Sequence, residues 1–446
     1  MSGIKNPGSI STKQARIANI ARQRPDQALT PLSHHIDLDC PGKAHRRTRK
    51  DAAPGIDEQT AADYEKELEA NLQSLLDRAK SGTYRAPPVR RVEIPKGDGK
   101  TRPIGIPTHE DKVLQRAVVM VLEPVYEQEF FDFSYGFRPG RSAHQALETL
   151  WRGLMSLDIG WVLDVDVQSF FDTLDHRVCR ELLRERVSDG VIVRLVGKWL
   201  NAGVLEGGVK RRLSSGTPQG GVISPLLANI YLHHVLDRWW TEDVLPRLRG
   251  RAILIRYADD FVIGFELEED ARRVHAVLPR RFGKYGLTLH PDKTRLLRFG
   301  SRSEQNGPWG RSIGVESFDF LGFTHHWGKT KKGTIAVQRR TMRARFSRAL
   351  RAVSIWCRQH RHRRVAEQAQ HLARKLHGHY AYYGITGNMR VLSNFHRRVL
   401  FVWLKWLSRR SQRARMTWEV FSKEVLERHP LPAPRIVRSS MRAAKL

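Results

Sequence analysis

The feature that most restricts the fold of this chain is the tetrad Tyr257-Ala258-Asp259-Asp260, set between the apolar runs Ala252-Ile253-Leu254-Ile255 and Phe261-Val262-Ile263. Two short apolar runs around a few polar residues predict strand, tight turn, strand. The hairpin then carries two adjacent carboxylates at its tip. Like charges ~4 Å apart repel by roughly 4 kcal/mol at an effective dielectric near 20. A divalent cation converts that repulsion into attraction, and hard oxygen ligands suit Mg²⁺. Asp is also a common turn residue, so the tetrad alone fits either a metal site or a polar turn.

Charge narrows the choice of partner. The chain has 77 Lys and Arg against 46 Asp and Glu, a net +31. Such a surplus repels itself in a compact state unless a polyanion neutralises it, and nucleic acid answers that need best. An anionic membrane surface is the rival. No apolar run approaches ~18 residues and no signal-peptide core is present, so no membrane association is expected. Cys40, Cys179 and Cys357 are far apart, odd in number and form no Cys-x-x-Cys pair. They support neither a zinc ribbon nor a disulfide framework and point to a reducing compartment. In the pairs His34-His35, His233-His234 and His325-His326, strand neighbours point to opposite faces. Each pair reads as surface or RNA-facing rather than chelating.

A chain of 446 residues holds two or three domains. Residues 1–50 are polar, basic and aperiodic, and are expected to be a weakly ordered leader. Lys5, Lys13, Arg16, Arg22 and Arg24 precede its first acid, which fits an organellar transit segment or a mobile arm that touches RNA. A helix is predicted from Asp57 and Thr60 through Tyr64, Leu68, Leu72, Leu75 and Leu76 to Ser81-Gly82. A strand follows over Val89 to Ile94, then a charged hairpin turn from Lys96 to Lys100. Val113 to Leu122 reads as a buried helix stopped by Pro124.

Gly160 to Val167 is a short apolar strand carrying Asp164 and Asp166, and residues 178–200 look helical. Gly207-Gly208 punctuates a hairpin, and Gly216 to Gly221 is a loop opening a helix through Leu226, Leu227, Ile230 and Leu236. Residues 270–285 are helical again, and Phe318 to Phe323 is a short strand. The alternation predicts an α+β fold. Beyond about residue 335 the pattern turns helical. Its three apolar stripes are Phe346, Leu350, Val353 and Cys357, then Val365, Ala369, Leu372 and Leu376, then Leu392, Phe395, Val399, Val402 and Trp406. The opposite face of the first carries Arg345, Arg348, Arg351 and Arg358. Glu367 is the only acid between residues 320 and 418, so this bundle should present a basic surface. Trp356, Tyr380, Tyr382 and Tyr383 lie among these cations, placed to stack on bases or to fill a core; Trp356 reads as core.

Asp166, at the end of its strand, is placed to face the Asp259-Asp260 turn. Two strands that each deliver an acid to one point can hold two Mg²⁺ ions about 3.5–4 Å apart. That is the apparatus of in-line nucleotidyl transfer, one ion activating a 3′-hydroxyl and the other stabilising the leaving pyrophosphate. Arg90, Lys96, Lys100 and Arg102 offer positive charge to an incoming triphosphate.

Ordered blocks then carry a resemblance. They are Gly55-Ile56-Asp57, Ile94 to Pro107, Ser134 to Ser142, Asp166 to Asp172, Thr217 to Asn229, the tetrad, Lys293-Thr294 and Phe320 to Phe323. Through them the chain resembles the reverse transcriptase/maturase proteins encoded by group II introns. The blocks span roughly residues 51–325; Gly378 to Gly384 and Asn394-Phe395 extend the likeness. The resemblance implies a right-hand polymerase, with fingers and palm over 51–330 and a helical thumb/maturase region over 331–446. It implies that Asp166, Asp259, Asp260 and the carbonyl of Val167 bind Mg²⁺, with Asp260 also shaping the site. Arg90, Lys96 and Arg102 would clamp the triphosphate, Phe171 would exclude a 2′-hydroxyl, Gln219 would line the nucleotide pocket, and Lys293 would stabilise the leaving pyrophosphate or donate a proton to it.

The implied partners are group II intron RNA, an RNA template, a DNA primer or target, and dNTPs. The implied setting is a bacterial cytoplasm near the nucleoid, with an organellar origin left open. The implied activity is RNA-directed DNA synthesis together with help in intron splicing and mobility. Two alternatives stay open: a splicing maturase with a vestigial polymerase site, and a domesticated reverse transcriptase of a diversification or defence system. Gln168-Ser169 departs from the Lys-Gly frequent in this family, which bears on template contacts. No Cys-rich or His-Asn-His nuclease module is present in the sequence, so if the chain mobilises an intron it is expected to need another source of primer, such as a nascent strand at a replication fork.

Overall fold

The computed structural model describes residues 12–95, 101–206, 209–211, 216, 220–306, 315–330, 332–411 and 415–438. Two units pack separately. One holds the chain up to Thr149 together with Leu163–Leu296; the other holds Leu150–Val162 and the chain from Leu297 onward. The strands are β1 (Val89–Pro95), β2 (Thr101–Ile106), β3 (Trp161–Val165), β4 (Val204–Glu206), β5 (Val209–Arg211) and β6 (Ala252–Tyr257). Then come β7 (Asp260–Phe265), β8 (Arg295–Arg298), β9 (Phe318–Phe320), β10 (Phe323–Lys329) and β11 (Ile335–Thr341). They form sheets in the orders β2-β1-β4-β5, β6-β7-β3-β8 and β11-β10-β9. With the helices between them, this is the α+β fold that the alternation predicts.

Local chemistry explains most boundaries. Thr60 caps a first short helix through a capping box with Asp63, and the chain breaks at Glu67 before a second helix, Leu68–Ser81. Gly82 ends it in the left-handed region at φ 86°, which glycine adopts without steric cost. The stretch expected to be helical over 178–200 is two helices, His176–Arg186 and Gly190–Leu200. Asp189 starts the second by accepting from the Val191 and Ile192 amides.

Three expectations are corrected. The helix that Pro124 was to stop runs from His109 to Tyr126. Proline removes one donor, and the carbonyl left unserved four residues earlier is Met120, which accepts instead from the Gln14 amide at 3.0 Å. Residues 12–50, expected to be weakly ordered, carry helices at Thr12–Gln23 and Asp39–Arg47 that bury Ile17, Ala21, Cys40 and Ala44, and the segment between them buries Leu29, Leu32 and Ile36. The buried guanidinium of Arg186 gathers the carbonyls of Ala21 and Arg24, at 2.6 and 2.7 Å, with that of Gln27. This satisfies the end of a helix whose sequence shows no cap of its own. His233 and His325 are buried rather than surface or RNA-facing; His325 stacks on Phe318 at 4.8 Å.

In the second unit, helices Arg343–Gln359, Val365–Tyr383 and Met389–Leu407 bury the predicted stripes around Val353, Leu372, Phe395 and Val399, but at the end of the third helix Trp403 and Leu407 take the core positions while the expected Val402 and Trp406 are only partly buried. Trp356 is partly buried against this core, stacked on His371 at 3.8 Å. Arg345, Arg348, Arg351 and Arg358 stay exposed on the outer face. Among the described residues no helix is long and apolar enough to cross a membrane.

Candidate active site

β6 and β7 pair from Ala252↔Phe265 to Tyr257↔Asp260, leaving Ala258-Asp259 as a two-residue turn. Ala258 sits at φ 59°, a conformation that hairpin turns of this length demand and that a residue with a Cβ enters at a cost of ~1–2 kcal/mol. Something must hold it there. Arg256, fully buried, donates from Nη1 to the Ala258 carbonyl at 3.1 Å and to Asn229 Oδ1 at 3.0 Å. Its Nε and Nη2 grip both oxygens of Asp237, also fully buried. Asn229 in turn donates to the Gly136 carbonyl at 2.7 Å. A Cβ on Gly136 would lie 2.2 Å from the Ala258 nitrogen, so only glycine fits beneath the turn. Burial acts to raise the Asp237 carboxyl, but the Arg256 charge and hydrogen bonds outweigh it and hold Asp237 below the usual aspartate value.

The tip differs from this floor. Asp259 is pushed above the ordinary aspartate value, chiefly by burial; the Asp166 carboxylate adds to the rise while a backbone hydrogen bond, Arg102 and Arg256 oppose it. Asp166, Asp259 and Arg102 therefore share one electrostatic neighbourhood, although 93 residues separate the two acids in sequence (259 − 166). Lys293 joins them: its Nζ donates to Asp166 Oδ2 at 2.8 Å.

The segment after β3 runs beside residues 288–290. Gln168 donates to the Thr288 carbonyl and His290 to the Asp166 carbonyl, both at 2.8 Å. Val167 lies opposite Leu289 in that bridge, so its own N–H and C=O point the other way. Asp260 is the exposed first residue of β7. Among the described residues no three His, Cys, Asp or Glu side chains converge as a metal cluster. What fits a divalent ion is narrower: two neighbouring carboxylates, one of them raised by burial and by the other's charge.

The cationic hairpin has two unlike faces. Ile94 pairs with Arg102 and Arg90 with Ile106 across β1 and β2, and directly opposed residues point to the same side. Arg90 and Arg102 thus share a face. On the other, Arg91 is matched by Glu93 at 3.3 Å and Glu206 at 3.6 Å. The buried Nε of Arg90 has no hydrogen-bond partner among the described residues. Phe171 is buried edge-on to Phe170. Lys96 and Gln219 lie outside the described residues, but the ends of the Gln219 loop are close-packed. A Cβ at Gly216 would meet the Asp172 carbonyl oxygen at 2.8 Å, and one at Gly220 would meet that of Gly105 at 2.4 Å.

Sequence reasoning missed Arg256, Asp237 and Asn229. A charge inside an otherwise apolar strand is the available signal, since a buried guanidinium requires a buried partner. It also missed Asp111, fully buried, which accepts from Tyr84 Oη, from Trp199 Nε1 at 2.7 Å and from Gln115 Nε2 at 3.0 Å. Gln115 Oε1 accepts from the Ile223 amide at 3.2 Å, tying this network to the segment that follows the Gln219 loop.

Comparison with known proteins agrees with this geometry. The reverse transcriptase (RNA-dependent DNA polymerase) family matches residues 94–325. Protein YkfC of Escherichia coli is 39% identical over 278 residues, covering 54% of this chain and 72% of YkfC. The group II intron-encoded protein LtrA of Lactococcus lactis is 38% identical over 249 residues, covering 52% of this chain but only 41% of LtrA. Nuclear intron maturase 2, mitochondrial, of Arabidopsis thaliana is 27% identical over 231 residues, covering 43% of this chain and 29% of its own length.

Proposed function

Since the chain belongs to the family of group II intron-encoded reverse transcriptases and maturases, we propose that it is a right-hand RNA-directed DNA polymerase whose active site is the Asp166–Asp259 neighbourhood. The observation that carries this reading is the meeting of Asp166, Asp259, Arg102 and Lys293 in one electrostatic field. Asp166 and Asp259, with Asp260 and the Val167 carbonyl, would hold Mg²⁺. When bound, such ions lower the pKa of a primer 3′-hydroxyl and neutralise charge on the leaving pyrophosphate.

The chain's own groups do the rest. Arg102, with Arg90 and Lys96, clamps the triphosphate of an incoming dNTP. Phe171, buried after β3, backs the sugar and excludes a 2′-hydroxyl. Gln219 lines the nucleotide pocket, on a loop anchored at Gly216 and Gly220. Lys293 offsets charge beside Asp166 and stands ready to stabilise pyrophosphate or pass it a proton. The exposed arginines of the C-terminal helices bind intron RNA in support of splicing and mobility, in a bacterial cytoplasm near the nucleoid.

The test is extension of an oligo(dT) primer on a poly(rA) template with Mg²⁺ supplied or chelated. Wild type should make cDNA only with the metal, and Asp259→Asn should make none while still binding RNA. Absence of cDNA from folded wild-type protein, or synthesis by the Asn variant, would overturn the reading.

A further inference from the structure

A second charged site lies apart from the carboxylates. Helices His176–Arg186 and Gly190–Leu200 enclose an open cavity of about 590 Å³ lined by Arg180, Arg184, Arg194 and Lys198, with Ser188 and Gly197 among its other walls. The cations come as two pairs four residues apart, so each pair spans ~6 Å along its own helix. The helices touch there: a Cβ at Gly197 would meet Arg180 Cδ at 3.6 Å.

No carboxylate lines this cavity, and the nearby acids are engaged elsewhere. Glu181 faces Arg177 at 3.7 Å, and Glu185 faces His234 and Arg238 at 3.3 and 3.5 Å. Asp189 gives one oxygen to the Val191 and Ile192 amides and the other to those of Leu32 and Ser33. It thereby occupies the helix N-terminus, which leaves the side chains as the anion-seeking groups. Among the described residues no carboxylate is in ion-pair range of any of the four cations. Lys198 donates to the Gly82 and Tyr84 carbonyls at 2.6 and 2.5 Å and braces the wall. Burial, and then the charges of Arg194 and Arg85, lower the pKa of its ammonium.

We propose that this cavity grips the phosphodiester backbone of structured RNA, at a site separate from the polymerase centre. Four cations without an acid match a run of phosphates, and paired guanidinium forks suit phosphate oxygens. The inference rests on the polymerase reading for its choice of RNA as the polyanion.

The test compares the triple variant Arg180→Gln, Arg184→Gln, Arg194→Gln with wild type for binding a labelled RNA hairpin across a KCl series. Each lost phosphate contact lowers the slope of log affinity against log salt by about 0.7–0.9, so the triple variant should lose about 2–3 from its slope. It should keep its unfolding temperature and its extension of a short primed template. Lysine at the same three positions should restore the slope. The single variant Arg184→Glu, at an exposed position, answers the question if the triple does not fold.

An unchanged slope in a variant that still polymerises would overturn the inference. So would saturation of the site by inorganic phosphate while RNA affinity stays the same, since the cavity would then serve a free anion. Wild-type protein that makes no cDNA would instead count against the polymerase reading.

Discussion

The turn of the β6–β7 hairpin treats charge in opposite ways at its root, the buried floor beneath it, and at its tip. At the root, Arg256 and Asp237 are both fully buried and fully matched. At the tip, Asp259 is half-buried beside another acid and its carboxyl is raised. Burial of charge is costly in either place. The root answers the cost with partners from the same chain. The tip leaves it open to a ligand, as sites that need a perturbed carboxylate do. Rigidity at the root and electrostatic tension at the tip are therefore two halves of one device, because an unmatched carboxylate can be aimed only from a turn that cannot relax.

The largest effect should come from removing the tension. Asp259→Asn should lower cDNA synthesis by about 10⁴-fold or more, ~5.4 kcal/mol at 1.36 kcal/mol per decade. The same change should leave the unfolding temperature of the metal-free protein unaltered or higher, because a half-buried carboxylate beside another has been neutralised. A clear fall in that temperature would mean that Asp259 is a structural residue. The comparison would then fail.

Removing the rigidity should act the other way round. Arg256→Ala leaves the buried Asp237 charge with only His233, 3.8 Å away, beside it, and loss of one partner of a buried pair costs roughly 3–5 kcal/mol. Urea unfolding should register it. Replacing both, with Arg256→Met and Asp237→Leu, should recover much of the stability without recovering synthesis, since the Ala258 carbonyl would still lack its donor. Full activity in the double variant would show that the turn needs no clamp.

How far this division could be read from sequence depends on distance along the chain. The strand-turn-strand reading of the tetrad held because apolar alternation is local, and the C-terminal helices held for the same reason at a different period. Asp166 was legible as a candidate through its place at a strand end, and its charge contributes to the rise of Asp259. Arg256 and Asp237 were not, since nothing within 19 residues (256 − 237) announces that a helix will turn an acid toward that strand. Residues 12–50 misled for a related reason: their helix end is satisfied by Arg186, supplied from far along the chain. Pro124 misled because its missing donor is replaced by Gln14.

Titration separates the tip from the root without measuring activity. Folded Asp259 holds its proton to higher pH than the unfolded residue. Between its raised value and 3.8 the native state therefore binds more protons than the unfolded state, and this group's contribution to stability falls as pH rises. Asp237 is depressed, so its contribution is present above the unfolded aspartate value and is lost as pH falls through its folded value. Carboxyl carbon NMR of metal-free protein should show Asp259 titrating lower in Asp166→Asn and higher in Arg102→Gln. An Asp259 midpoint that ignores both substitutions would place these groups outside one another's fields.

The smallest effect should arise where the same excess of charge is neither paired nor buried. Arg345, Arg348 and Arg351 are exposed on the Arg343–Gln359 helix, where water already solvates them, so changing each to Gln should alter stability by under ~0.5 kcal/mol. Their worth lies in displacing counterions from RNA. Each substitution should lower the salt slope of RNA binding by about 0.7–0.9, nearly alike for unrelated RNA sequences, because phosphate contacts carry no base information. A change that weakened one RNA far more than another at equal salt would give these arginines a role in base recognition. The contrast with the hairpin would then be one of chemistry rather than of exposure.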